Sequence, residues 1–343
     1  MMYPGEAASL IAAQAGDQEA FKKLTEPYRS ELTIHGYRML GSLQDAEDLL
    51  QETLLRAWRR LETFQHNLSF RAWLYKIATN LCLDLLDKRP RRSLPAMVEK
   101  ASDPHGPLAP PRQEPVWLEP LPGEWLASRE GNPETLAVAR ETISLAFLVA
   151  LQQLPPRQRA VLILCDVLDW RAGESAELLA LTVSSVNSAL HRARSTLKRF
   201  AGLDAPGSLS PIAESERIQN LLSQYMEAWE SQDIPRLVAL LKEDAEFTMP
   251  PTPTWFQGRA SIAAFIEREI LKPHSPTGIW RLVPTQANGQ PALAVYLRTE
   301  AGGPFRAITL QVLTMDPTAK RIDGVTCFLN TELFRRFNLP AEL

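Results

Sequence analysis

Cysteine is scarce in this 343-residue chain, and Cys82, Cys165 and Cys327 lie far apart with no C-x-x-C pair among them. Neither a disulfide framework nor a thiolate zinc site is expected. Long apolar runs are missing too, so no membrane-spanning helix is expected. The first residues carry no basic segment leading into an apolar one, which speaks against a secretory leader. A basic excess is also lacking. The formal net charge is -3, so any hold on nucleic acid must come from local patches. These absences point to a reducing cytoplasm and to no metal or cofactor. What is present is an ordinary 45% of hydrophobic residues in a chain long enough for two or three folded domains.

Texture divides the chain. Residues 6–92 read as helical, with few glycines and apolar residues three and four apart. Residues 93–132 are dense in proline, which removes donors and blocks helix, and form an extended linker. Within it WLEPLPGEW, Trp117 to Trp125, is too apolar for a solvated tether and either docks on a neighbouring domain or packs on itself. Helical periodicity resumes over residues 133–200, and residues 201–214 form a second linker rich in glycine, proline and serine. Residues 215–343 read as one helix followed by shorter helices, strands and turns.

The stretch from Asp45 to Arg92 joins two unlike surfaces. Ser42 can cap the helix that opens it, and Leu50, Leu54, Ala57, Trp58 and Leu61 form its apolar face. Asp48, Gln51 and Glu52 share one outward patch, read either as a solvated face or as a site for a basic partner. Further on, Leu74, Ile77, Ala78, Leu81 and Leu85 give a core stripe. Arg71, Lys76, Lys88, Arg89, Arg91 and Arg92 interleave with Phe70, Trp73 and Tyr75. Charge that follows a backbone, beside rings that accept unstacked bases, suits a single strand, although Trp73 alone could be core.

A second helical stretch opens at Pro155 and Pro156 and runs on to Trp170. Two helices follow, broken near Ala180 to Thr182, with Thr182 as cap of the second. In that helix Val186, Leu190, Ala193 and Leu197 point inward. Ser184, Ser185, Asn187, Ser188, His191, Arg192 and Arg194 lie on or beside the outer face, and no acidic residue falls between Ser184 and Arg199. Asn and Arg can read base edges and Ser can hold phosphate, so this is a candidate helix-turn-helix reader of duplex DNA. A plain hairpin with a solvated basic side is the simpler alternative.

DAEDLLQETLLRAWR followed by FRAWLYKIATNLCLDLL resembles region 2 of the extracytoplasmic-function sigma factors of bacterial RNA polymerase. LQQLPPRQRAVLILCDVLDW with VNSALHRAR is similar to their region 4. The resemblance implies that Asp48, Gln51 and Glu52 bind the clamp helices of the polymerase large subunit. It implies that the loop Phe64 to Ser69, with Phe64, His66 and Asn67, and the helix through Asn80 read a melted minus-ten strand. Region 4 would read the duplex minus-thirty-five element. The loop is where promoter preference is least predictable. Ala180 departs from the family by standing where glycine is common. Ser175 replaces an apolar residue and is expected to bond a carbonyl one turn back.

The C-terminal third continues the pattern. Ile218, Leu221, Leu222, Tyr225, Met226 and Trp229 mark an amphipathic helix. Further helices are expected over 236–242, 261–271 and 332–337, with strands over 246–249, 279–285, 292–299, 305–315 and 321–329 in an antiparallel sheet. LLSQYMEAWESQDIPRLVALLKEDAEFTMPPTPTWFQGRASIAAFI is similar to the opening of a SnoaL-like domain, the fold of polyketide cyclases and ketosteroid isomerases. The fold class is thus multidomain, two all-α sigma domains plus an α+β cone. Tyr225, Trp229, Met249, Trp255, Phe256, Tyr296 and Asp323 are candidate pocket residues, with Asp323 the one conceivable base. A fold alone proves no activity.

The leading expectation is a promoter-recognition subunit that does no chemistry, with polymerase core and promoter DNA as partners and no membrane. Its C-terminal domain would regulate it by touching region 2 or the linker. No anti-sigma partner is evident, and an attached domain makes one less necessary. A ligand-sensing transcription factor acting without core, and a cyclase or isomerase carrying DNA modules, are the alternatives.

Overall fold

The computed structural model describes residues 6–64, 69–88, 90–112, 117–127, 142–201, 211–274, 278–316 and 318–343. The chain forms two compact units, one of Met1–Arg92 with Ala127–Gly202 and one of Ser93–Leu126 with Leu203–Leu343.

The first unit is helical. Its helices are α1 (Glu6–Gln14), α2 (Gln18–Leu40), α3 (Leu43–Arg59), α4 (Phe70–Leu86), α5 (Leu145–Gln152), α6 (Pro156–Leu162), α7 (Ala172–Leu179) and α8 (Val183–Ala201). Side-chain caps start several of them. Asp17 accepts from the Ala20 amide, Ser69 from the Ala72 amide, and Ser42, as expected, from the Asp45 amide at 3.1 Å. Gly41 ends α2 in the left-handed region at φ 71°, returning its amide to the Tyr37 carbonyl. Gly36 lets α2 and α3 approach, since a Cβ there would sit 2.6 Å from the Leu49 side chain. The expected core residues Leu74, Ile77, Ala78 and Leu81 are buried.

The helix expected from Pro156 to Trp170 is shorter. After Leu162 the backbone widens into a π-helical turn, Ile163–Val167, before α7. Between α7 and α8 Ala180 takes φ 52°, the left-handed geometry that glycine adopts more readily. Thr182 caps α8 by accepting from the Ser185 amide at 3.1 Å. Val161, Ala176, Val186 and Ala189 form the small core of this helix-turn-helix.

The second unit is built on a six-stranded sheet of order β2-β1-β6-β5-β4-β3. Its strands are β1 (Leu241–Thr248), β2 (Trp255–Gln257), β3 (Ile279–Ala287), β4 (Gln290–Arg298), β5 (Arg306–Met315) and β6 (Ile322–Phe328). Helices α9 (Pro211–Glu230), α10 (Ile234–Ala239) and α11 (Arg259–Phe265) accompany it, and α12 (Glu332–Arg336) follows the last strand. Three expectations need correcting. The sheet is mixed, because β1 runs parallel to β6. β1 begins at Leu241, so Leu241 and Lys242 belong to the strand and not to the helix before it. β2 has only three residues, too few for any alternation to show in the sequence. Alternate strand residues face one core, Leu293, Val295 and Leu297 on β4 among them, where Tyr225, Trp229, Phe247 and Phe265 also lie.

The described part of the Pro-rich segment belongs to this unit as a strap. The Trp255 indole donates to the Glu99 carbonyl at 2.9 Å, and the Ser102 amide donates to the Trp255 carbonyl at 2.8 Å. Further along, the Arg112 amide reaches the Pro251 carbonyl at 3.0 Å. At the far end Leu121 and Asn288 exchange two bonds, backbone amide to side-chain oxygen at 3.0 Å and amide to carbonyl at 2.8 Å. Pro122 bridges Ala287 on the edge strand β3. Gly123 is needed there, as a Cβ would meet the Gln286 Cβ at 2.8 Å.

Candidate nucleic-acid interface

Helix α8 brings together most of the expected duplex-reading residues. Ser184, Asn187, Ser188, His191 and Arg192 line, with Val183, an open concavity of about 670 Å³. These side chains carry donors and acceptors of the kinds that read base edges and phosphates. Two expected members are engaged elsewhere. The Ser185 hydroxyl sits 2.8 Å from that of Thr182 at the cap. Arg194 makes a fork to Asp166 at 2.7 and 2.9 Å, and that bond raises its pKa. Asp166 was missed by the sequence reading, because nothing in periodicity links positions 28 residues apart. Ser175 is buried, and its hydroxyl lies 3.4 Å from the Cys165 sulfur rather than on a carbonyl one turn back.

On α4 the helical phase separates the residues expected to hold a melted strand. Trp73, Lys76 and Asn80 follow at intervals of three and four and share one face. Asn80 is exposed, Lys76 half-buried, and Trp73 leans on Phe64 and Phe70 with ring centroids 5.2 and 5.7 Å away. His66 and Asn67 lie outside the described residues. Arg71 points to the opposite side of α4. It forks onto Glu31 at 2.8 Å and lies over the rings of Tyr75 at 5.1 Å and Trp170 at 5.9 Å. Arg92 pairs with Asp45 at 2.7 Å, both largely shielded from water, and Arg91 donates to the Gln153 carbonyl at 3.4 Å. The structure does not bring these three arginines onto the Trp73 face.

The acidic patch is on α3. Asp48 and Gln51 are exposed, and Glu52 is half-buried and bonded to Arg56 at 2.6 Å. Leu55, overlooked in the sequence, extends the same stripe and remains 42% exposed, which gives the patch an apolar contact.

The pocket residues of the C-terminal domain do not converge. Tyr225, Trp229, Met249 and Phe256 belong to its core, with the Tyr225 hydroxyl donating to Gln311 at 3.0 Å. Tyr296 faces the other side of the sheet, against Phe334, and donates to the Pro340 carbonyl at 2.9 Å. Trp255 faces the strap. Asp323 is no buried base: it is paired with Lys242 at 2.6 Å, and its side chain is 43% exposed. Strand alternation accounts for the split, since neighbours on a strand face opposite ways. Among the described residues no cluster of His, Cys, Asp or Glu could hold a metal ion, and no helix is long and apolar enough to cross a membrane.

Comparison with known proteins agrees with this layout. Family models match over residues 24–92 (Sigma-70 region 2), 144–197 (Sigma-70, region 4) and 222–328 (SnoaL-like domain). The extracytoplasmic-function RNA polymerase sigma factor SigG of Mycobacterium tuberculosis is 44% identical over 342 residues, 98% of this chain and 90% of SigG. SigW of Bacillus subtilis, of the same family, is 31% identical over 186 residues, 54% of this chain and 90% of SigW. Among solved structures, the sigma factor SigJ of Mycobacterium tuberculosis superposes with a TM-score of 0.59 at 21% identity, covering 91% of this chain and 97% of SigJ, a likeness of fold.

Proposed function

The chain belongs to the extracytoplasmic-function sigma factors, and from that premise we propose how its surfaces share the work of directing RNA polymerase core to promoters and initiating transcription. The α3 patch of Asp48, Gln51 and Glu52, with Leu55 beside it, is the contact for core. Trp73, Lys76 and Asn80 hold the melted minus-ten strand together with His66 and Asn67, whereas Phe64, expected among them, is buried against Phe70 and Trp73 and backs that face instead of touching DNA. Ser184, Asn187, Ser188, His191 and Arg192 read the minus-thirty-five duplex, and Arg194 serves them from the side. Arg91 and Arg92 act by fixing the arm after α4. The protein works in the cytoplasm, where polymerase and promoter are.

The single observation that carries this reading is that five polar residues of α8 share one exposed face. Arg192→Ala should cost about 1–3 kcal/mol on the cognate duplex if the guanidinium reads a base edge. Binding isotherms on cognate and scrambled promoters, taken with holoenzyme, check it. Equal loss on both sequences would reduce Arg192 to a phosphate contact.

The C-terminal domain regulates the other regions and performs no turnover. Support comes from Asp323, which sits in a half-exposed ion pair and lacks the burial that would tune a carboxylate for proton transfer. Truncation after Phe200, assayed for promoter-dependent transcription with core, tests the regulatory role, and unchanged transcription would remove it.

A further inference from the structure

Val183 is the odd member of the α8 face. It opens the helix directly after the Thr182 cap and lines the same concavity as Ser184, Asn187, Ser188, His191 and Arg192. Alone among those six it carries no polar side-chain atom, yet it is 47% exposed. Val186 and Ala189 turn inward to the small core of the helix-turn-helix, whereas Val183 stays outside it. Nor does the helix gain from a valine there. A β-branched side chain is a weak helix former, and the positive end of the helix dipole favours an acidic residue, of which the first turn of α8 has none. An acid at that place would repel phosphate, while valine leaves the surface neutral. Neither the cap nor the core uses the valine methyls.

In a helix-turn-helix the first residues of the second helix lie against base edges in the major groove. The donors and acceptors displayed there suit serine, asparagine and arginine, and the one apolar group is the C5-methyl of thymine. Val183 and Asn187 are related as i and i+4, on one side of α8 and about 6 Å apart along its axis. That interval is close to the rise of two base pairs at about 3.4 Å each. We propose that Val183 is a specificity-determining residue of the duplex reader, packing its methyls on a thymine C5-methyl one or two base pairs from the position read by Asn187, whose amide suits adenine. Cytosine, which lacks the methyl, is then disfavoured at the Val183 position. The proposal deepens the duplex-reading role given to α8 above and rests on it.

Holoenzyme formed with the full chain can select duplexes from a pool randomised upstream of the minus-ten element. Each thymine of the selected upstream element is then replaced singly by deoxyuridine, which removes the methyl and keeps every hydrogen-bonding group. One replacement should weaken holoenzyme binding about fourfold, the worth of one buried methyl. With Val183→Ala the thymine duplex should bind about fourfold more weakly than with the wild type, and the same replacement should add no further loss. Val183→Thr keeps one methyl at the same place and should keep the sensitivity, which separates a lost contact from a weakened helix. A selected element with no thymine sensitive to its methyl, or a Val183→Ala chain that still loses affinity on deoxyuridine as the wild type does, would overturn the contact. Failure of the underlying reading shows separately, as a holoenzyme that selects no upstream sequence at all, and takes the proposal with it.

Discussion

Asp166 occupies a cation beside the α8 face proposed to read DNA. Its fork to Arg194 neutralises a cation beside the concavity of α8. Asp166→Asn should free that guanidinium for a phosphate, tightening binding to any duplex and steepening the salt dependence of affinity by about one charge. Titrations at several salt concentrations check this, and an unchanged slope would mean that Arg194 never reaches the backbone. At this scale the sequence was partly legible. The α8 residues could be read because their spacing is local and periodic. The place of Arg71 was legible too, since at 100° per residue it falls opposite Trp73, Lys76 and Asn80, but composition alone grouped it with them. Asp166 carried no such signal.

Within the elements, His35 of α2 is sealed against α4. It lies 2.9 Å from the Thr79 hydroxyl and 5.0 Å from the Tyr75 ring. Burial, then the charges of Arg38 and Arg71, hold its pKa near 3 against an ordinary 6.5. Below about pH 6.5 the unfolded chain therefore binds a proton that the folded unit refuses until about pH 3, so His35's contribution is complete above that window and is lost as pH falls through it. Hydrogen exchange of the α2 amides from pH 7 to 4 should show falling protection, and His35→Gln should flatten the fall. In the strap, Asn288→Ala leaves the Leu121 amide without its side-chain partner and should cost the C-terminal unit about 1–3 kcal/mol. Denaturant unfolding of that unit measures the loss, while limited proteolysis should find the Pro-rich segment more exposed. The last four strands were readable from their periods, within two residues at each end, whereas β1 begins five residues before its expected start. The parallel pairing of β1 with β6 was not readable, because pairing partners far apart in the chain leave no periodic trace. Proline density announced an extended segment, but what it lies against depends on Asn288 and Trp255, far along the chain.

For the whole molecule, function follows from surfaces arranged for partners rather than from a reaction centre. Two helical regions of a sigma factor share one unit, and the described part of the segment that joins them is strapped to a SnoaL-like domain. We propose that the chain assembles with core and starts transcription through the α3 patch. Co-elution of the full chain with RNA polymerase core at physiological salt, followed by run-off transcription, tests it most directly. The wild type should co-elute and initiate, and a variant carrying Asp48→Ala, Gln51→Ala and Glu52→Ala should bind core at least tenfold more weakly. A chain that forms no holoenzyme, or a triple variant that binds core as well as the wild type, would contradict it.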